Sequence, residues 1–246
     1  MELSALEIAY CCAVLLLSYA LRGSSGFGGV IGLPLLAIVI PVKILAPAWT
    51  LLGIASSLAI LGRDRMHVAR REFVRFLPWC VLGVALGLYL FKALDADALA
   101  RALGVLILLY AGYSLWLTTR PRAPAPLPAW IRPLAATLSG ALGTMLGATA
   151  TIFFAIYLGG AHALEKRAFR ATVSAMLLSL SVLRAIAYAA VGEFTDEALV
   201  VFIAALPAMA LGIYVGGRFH ASISEVAFRR LVCAILALCA VPLLLK

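Results

Sequence analysis

The stretch GSSGFGGVIGLP, residues 23–34, decides how this chain can fold. It lies inside an apolar block that runs from residue 5 to residue 41 and that would be about 55 Å long as one continuous helix. A bilayer core is only about 30 Å thick, and glycine and proline weaken helices, so we predict that the block breaks within this stretch. A thinner version of the pattern, SGALGTMLGATAT at residues 139–151, predicts a second break in a later apolar block.

The composition of the whole chain places these stretches in a membrane protein. Of its 246 residues, 65% are apolar and 13% are charged, and the mean hydropathy is +1.09. Soluble proteins contain about 45–50% apolar residues and about a quarter charged ones, so the excess needs lipid to face. Large soluble catalytic modules are therefore excluded. We predict an all-α, polytopic integral membrane protein whose charge-poor apolar blocks lie at 5–41, 44–61, 74–91, 98–117, 133–160, 169–191, 198–217 and 228–245.

The charges that remain lie mostly between the apolar blocks. The chain has 20 Lys and Arg against 11 Asp and Glu, and the basic residues collect at 62–71, 118–132 and 165–170, as in loops that face a cytoplasm. We therefore expect membrane lipid as a partner and no nucleic acid. The five cysteines lie within apolar blocks, without a CxxC pair or a histidine at ligand spacing, so we predict no metal site and no cofactor.

The chain contains two copies of one unit. LPWCVLGVALG (77–87) and LPAMALGIYVG (206–216) share the pattern LPxxxLGxxxG, and further matches fall in the same register of 129 positions. A proline-rich segment separates the copies and resists helix formation. We therefore predict a first transmembrane repeat at 1–118, a proline-rich cytoplasmic linker at 119–132 and a second transmembrane repeat at 133–246.

Loop charges indicate how the copies are related. The loop before the shared pattern is rich in arginine in the first copy, at 63–71, while its counterpart in the second copy carries Glu193, Asp196 and Glu197. Loops of opposite charge are expected on opposite sides of the membrane, which predicts inverted repeats if each broken block crosses twice or re-enters. A single crossing by each broken block would give parallel repeats instead, and this alternative stays open.

The two breaks are the first candidates for a binding site. Transporters with inverted repeats bind substrate where interrupted helices free their backbone groups, and hydroxyls beside glycines suit an oxyanion. The alternative is that the glycines only allow close helix packing. The candidate substrate-binding residues are Ser24, Ser25, Gly26, Gly28 and Gly29 at the first break and Gly143, Thr144, Gly147 and Thr149 at the second.

Arg184 is the one charge well inside an apolar block. Insertion of an arginine at such depth costs about 2.5–3.5 kcal/mol, which makes this residue a further candidate for binding an anion. The alternative is that its long side chain extends to the membrane surface, since Gly192 lies only eight residues later. For Arg22, beside the first break, an anion-facing role is the alternative, and the residue is interpreted as marking a helix end.

Two other classes of function are weighed against binding. GSSG fits the GxSG pattern of rhomboid-type intramembrane proteases, but a nucleophilic Ser25 needs a nearby base, and no histidine lies within an apolar block. We therefore predict no catalytic residue and no enzymatic activity. A membrane scaffold or accessory subunit, in which the glycines serve packing alone, is the other alternative.

The chain resembles the TauE/SafE family of sulfite and organosulfur-anion exporters. The resemblance rests on Gly26-Phe27-Gly28-Gly29 followed by Pro34, on the weaker repetition at 140–147, and on the LPxxxLGxxxG segments. It implies a multi-pass transporter of the cell inner membrane that exports a small sulfur-containing anion, such as sulfite or an organosulfonate. A homodimer is left open.

Such a carrier would hold an oxyanion between the two broken segments and expose it alternately to each side. Export of each negative charge from a negative interior gains about 2.3 kcal/mol per 100 mV of membrane potential. No Asp or Glu occupies the middle of an apolar block, so we expect charge movement rather than a carboxylate proton relay to drive export.

Overall fold

The structure is a computed structural model, and it describes residues 4–25, 29–64, 70–119, 130–147, 166–218 and 225–245. Every regular element in these ranges is an α-helix, which confirms the all-α prediction. In chain order the helices are α1 (Ala5–Ser25), α2 (Gly29–Leu36), α3 (Val42–Asp64), α4 (Arg70–Ala93), α5 (Ala96–Thr119), α6 (Ile131–Leu146), α7 (Lys166–Ala190), α8 (Asp196–Arg218) and α9 (Glu225–Leu244).

Most of these helices are suited to a bilayer. Within the described ranges six are long and apolar enough to span it, namely α1, α3, α4, α5, α7 and α8, and shorter apolar helices lie at Pro133–Leu146 and Cys233–Leu244. Large apolar side chains such as Leu109, Ile203 and Leu238 are exposed on the outer surface, where lipid would cover them. The prediction of a polytopic, multi-pass membrane protein is therefore confirmed.

The first apolar block contains two helices. The helix α1 ends at Ser25 and α2 begins at Gly29, and residues 26–28 between them lie outside the described residues. α2 packs back along α1: Gly32 lies against Ser18, and the hydroxyl of Tyr10 donates a hydrogen bond of 3.0 Å to the carbonyl of Leu35. α3 then begins at Val42 after a short turn.

The glycines of the second LPxxxLGxxxG segment lie on α8 and pack against α1. A methyl group added at Gly212 would lie 2.8 Å from the carbonyl oxygen of Leu16, and one at Gly216 would fall on the carbonyl of Ala20. The contacts advance together along both helices, so α1 and α8 are parallel. We call this contact the α1–α8 seam.

The glycines of the first segment lie on α4 and make the corresponding contact with α6. A methyl group at Gly83 would fall on the carbonyl of Thr137, and one at Gly87 on the carbonyl of Ala141. These helices are also parallel, and we call their contact the α4–α6 seam. Each shared segment thus packs against the first helix of the other half of the chain, which ties the two halves together.

The remaining contacts complete the bundle. α5 packs on α9, and α3 crosses α7 where Gly53 meets Ser181. The larger apolar core fills the space among α1, α2, α3, α5 and α9, and a smaller one lies between α4, α6 and α7 around Phe76, Cys80 and Met176. The ends of α1 and α6 both lie inside this packing, next to α3 and α7.

Candidate functional site

The C-terminal end of α6 is closed by a glycine cap. Gly147 has a φ of +88°, a left-handed conformation that favours glycine, and its N–H donates a hydrogen bond of 2.9 Å to the carbonyl of Gly143. A side chain at Gly147 would meet Leu33 of α2, and the Cα of Ala46 at the start of α3 is 3.6 Å from the same point. The end of α6 is therefore held against the first apolar block of the chain.

Arg184 reaches this helix end from α7. Its side chain is only 3% exposed, and one terminal nitrogen donates a hydrogen bond of 2.7 Å to the carbonyl of Gly147. The negative end of a helix dipole favours a cation at this position. One turn later the hydroxyl of Tyr188 donates to the carbonyl of Thr144. Arg184 is thus buried in the protein instead of extending to the membrane surface.

The structure brings together four of the predicted site residues, all at this end of α6. Gly143 and Thr144 are buried, and the hydroxyl of Thr144 donates a hydrogen bond of 2.8 Å to the carbonyl of Gly140 in its own helix. They lie within one turn of Gly147, whose carbonyl accepts from Arg184. Of the others, Gly26, Gly28 and Thr149 lie outside the described residues; Ser24 and Ser25 are in the last turn of α1, and Gly29 is the first residue of α2.

Arg22 is a buried polar residue whose importance the sequence analysis underestimated. It lies in the last turn of α1, as expected of a helix end, but its side chain is only 5% exposed. One terminal nitrogen donates a hydrogen bond of 2.9 Å to the hydroxyl of Ser57 in α3. The available signal was an arginine directly before Gly23 in an otherwise uncharged stretch.

Unpaired polar atoms collect near the C-terminal ends of α1 and α6. In the part of the chain that the structure describes, the buried side-chain nitrogens and oxygens without a hydrogen-bond partner are Oγ of Ser18, Oη of Tyr19, Nε of Arg22, and Nε and Nη2 of Arg184. A buried polar group without a partner costs about 1–3 kcal/mol. Arginine N–H groups and hydroxyls are donors, so the group that would satisfy them all is an acceptor such as an oxyanion.

Comparison with known proteins gives one match. The family described as "Sulfite exporter TauE/SafE" matches residues 11–243, a range that includes both seams and both buried arginines. No curated protein and no solved structure matches the chain.

Proposed function

The chain belongs to the TauE/SafE sulfite exporter family, a family of membrane transporters, and on that premise we propose that it exports a small sulfur-containing oxyanion, such as sulfite or an organosulfonate, across the inner membrane. The observation that carries the proposal is the buried guanidinium of Arg184. It donates a hydrogen bond to the carbonyl of Gly147 and is also hydrogen-bonded to the side chain of Tyr188, and two of its nitrogens have no partner in the described residues. A desolvated cation with unused donors is stabilised by an anion that binds there.

We further propose that the halves 1–118 and 133–246 are inverted repeats joined by a cytoplasmic linker at 119–132. α1 and α3 run in the same direction, because Tyr19 packs on Trp49 with ring centroids 5.6 Å apart and Arg22 bonds to Ser57 further along both helices. Five residues connect α3 to α4 and reach about 20 Å at most, less than the length of either helix. α4 must therefore return, and α6, which is parallel to α4, runs opposite to α1.

This arrangement supports alternating access. The ends of the two first helices, α1 and α6, approach the α3–α7 crossing from opposite directions, and each is adjacent to one of the predicted breaks at 23–34 and 139–151. Movement of one half against the other would expose an anion at these ends to one side of the membrane at a time. The membrane potential, at about 2.3 kcal/mol per charge for 100 mV, then favours export of the anion.

Anion binding is tested with purified protein. A thermal-shift screen against sulfite, sulfate, thiosulfate, sulfoacetate and simple carboxylates should show selective stabilisation, about 2.7 kcal/mol at a hundredfold excess over Kd. Sulfite flux in proteoliposomes should fall at least about tenfold in Arg184→Gln and be retained in Arg101→Gln, which removes an exposed arginine. Flux that does not respond to an imposed potential would refute the proposed export. Absence of flux in the wild-type protein would also refute it and, if that protein is folded, would favour a scaffold.

The inverted arrangement is tested by accessibility. Single cysteines replace Arg71, at the start of α4, and Thr195, in the turn before α8, in a background from which the native cysteines are removed; both positions are exposed. An impermeant thiol reagent added to intact cells should modify position 195 and leave position 71 unmodified until the cells are opened. Modification of both from the same side would refute inverted repeats.

A further inference from the structure

Arg22 has the same chemical properties as Arg184 but lies at the end of α1. Its guanidinium is buried, one nitrogen is held by Ser57, and Nε has no partner in the described residues. Ser18 lies four positions earlier on the same face of α1, and its hydroxyl and that of Tyr19 are also unpaired. These three side chains form a second group of buried donors, which we call the α1 donor group.

The α3–α7 crossing shows where the two arginines lie. Gly53, at the middle of α3, contacts Ser181 of α7. Ser57, the partner of Arg22, is four residues beyond Gly53 along α3, a rise of about 6 Å, and Arg184 is three residues beyond Ser181 along α7, about 4.5 Å. Arg22 is therefore displaced from the crossing toward the C-terminal end of α3, the helix of its partner Ser57. Arg184 is displaced toward the C-terminal end of its own helix, α7.

The C-terminal ends of α3 and α7 point in opposite directions. The α4 residues Phe76, Cys80 and Val84 cluster with the α7 residues 173–180, and Phe91 near the end of α4 packs on Tyr188 near the end of α7, with ring centroids 5.1 Å apart. α7 is thus parallel to α4 and antiparallel to α3. Arg22 lies on the side of the crossing where α3 ends and α4 begins, and Arg184 on the side of the turn at 191–195.

We propose that the α1 donor group is a second anion-binding site, and that Arg22 and Arg184 bind the transported oxyanion in series on opposite sides of the α3–α7 crossing. The proposal rests on the anion transport proposed above. Arg22 receives the anion at the face that carries Arg63, Arg70 and Arg71, and Arg184 releases it at the face that carries Glu193, Asp196 and Glu197. Basic residues raise the association rate of an anion at the first face, and acidic residues lower it at the second.

Two separate cations fit a carrier better than one deep site. A single desolvated arginine that held the anion with all its donors would release it slowly, whereas two partly satisfied ones offer the anion alternative partners on either side of the crossing. Among the described residues, Ser57 holds Arg22, while Gly147 and Tyr188 hold Arg184, and each arginine keeps at least one nitrogen without a partner there. The fixed bond positions the guanidinium, and the free N–H groups bind.

The test measures initial rates of radiolabelled sulfite transport in membrane vesicles of both orientations, so that sulfite is varied separately at each face. Arg22→Gln should raise the KM at the face of residues 62–71 by about tenfold or more, as expected for one lost charged hydrogen bond, with less than about a twofold change at the other face. Arg184→Gln should show the reverse. Arg22→Lys should lie between Arg22→Gln and wild type, and Arg101→Gln should match wild type.

The outcomes separate this inference from the proposed transport. Equal changes of KM at both faces in Arg22→Gln, or none at either face, would overturn binding in series while wild-type flux and its fall in Arg184→Gln keep the transport proposal. Wild-type vesicles without sulfite flux would instead refute the transport itself. If Arg22→Gln does not elute as a single folded species, Ser57→Ala and Arg22→Lys replace it, with the same sidedness expected and its absence counting against the proposal.

Discussion

The two seams are alike in their backbones and different in their polar groups. In both, the last glycine of an LPxxxLGxxxG segment lies on the carbonyl of an alanine, Ala20 in the α1–α8 seam and Ala141 in the α4–α6 seam. The helix ends beyond these contacts differ: α1 carries its own arginine, whereas α6 ends in a glycine cap that accepts from an arginine of α7. Close backbone packing requires glycine at these positions in both seams. The buried arginine at the helix end, in contrast, belongs to α1 itself in one case and to the neighbouring helix α7 in the other.

The largest effect is expected at the glycines that both seams share, and it should appear in the stability of the folded protein. Gly216→Val and Gly87→Val place a side chain on a backbone carbonyl that cannot move without separating two helices, so each should cost about 3 kcal/mol or more and lower the yield of folded protein. Gly112→Val is the control, because nothing lies within 4 Å of the position of its Cβ. Size-exclusion profiles and thermal unfolding in detergent measure the effect. A folded Gly216→Val protein with unchanged thermal stability would contradict the close contact.

The next largest effect is expected at the buried arginines, where the seams differ. It should appear in the rate of sulfite transport instead of in folding. Among variants that remain folded, Arg184→Gln should lower sulfite flux at least about tenfold, because a charged hydrogen bond to the anion is lost. Arg184→Lys should restore part of the flux, since lysine keeps the charge but lacks the fork that holds Gly147 and the anion together. Flux assays on protein of matched amount provide the measurement. Equal flux for the lysine and glutamine variants would argue against a role for the charge.

A smaller contrast is expected between the two buried tyrosines beside the arginines. Tyr188→Phe removes the hydrogen bond to Thr144 and should lower the free energy of unfolding by about 1 kcal/mol, whereas Tyr19→Phe removes a hydroxyl without a partner in the described residues and should not destabilise the protein. Thermal unfolding without added anion measures both. The reverse order would show that the hydroxyl of Tyr19 is satisfied in the anion-free protein.

The smallest effect is expected for two neighbouring serines of α3. Ser57→Ala should weaken sulfite binding only a few-fold, because Arg22 keeps its charge and loses only the bond that positions it. Ser56→Ala is the matched control, since that hydroxyl donates to the carbonyl of Leu52 in its own helix at 2.6 Å. Anion-dependent thermal shifts compare the pair. A larger loss of binding in Ser56→Ala than in Ser57→Ala would count against Arg22 as a ligand.

The sequence predicted the class of fold, whereas the substrate-binding residues stay predictions. Composition alone predicted an all-α membrane protein, and LPxxxLGxxxG indicated two related segments, whose glycines the structure places in the seams. The partners of these glycines could not be predicted, because α1 and α8 lie almost 200 positions apart. Inverted repeats and the breaks themselves stay predictions.

The two arginines show why the burial of a side chain in the folded protein is harder to predict than its position within an apolar block. Arg184 was recognised because it is the one charge well inside an apolar block, whereas Arg22 lies near a helix end and so resembled a surface residue. α3 continues to Asp64, beyond the level of Arg22, and supplies Ser57 as its partner. A residue near the end of one helix is buried when its neighbour is longer, and a single sequence does not show which helices are neighbours.

The pairing of α1 with α8 also constrains how the protein is made. At about 5–20 residues per second, roughly 10–40 s pass between synthesis of Ala20 and of Gly216, its contact on α8. During that time the inserted first helix has no permanent neighbour for the face that bears Leu16 and Ala20. The α1–α8 seam can form only once α8 has been synthesised and inserted, so lipid covers this face of α1 until then.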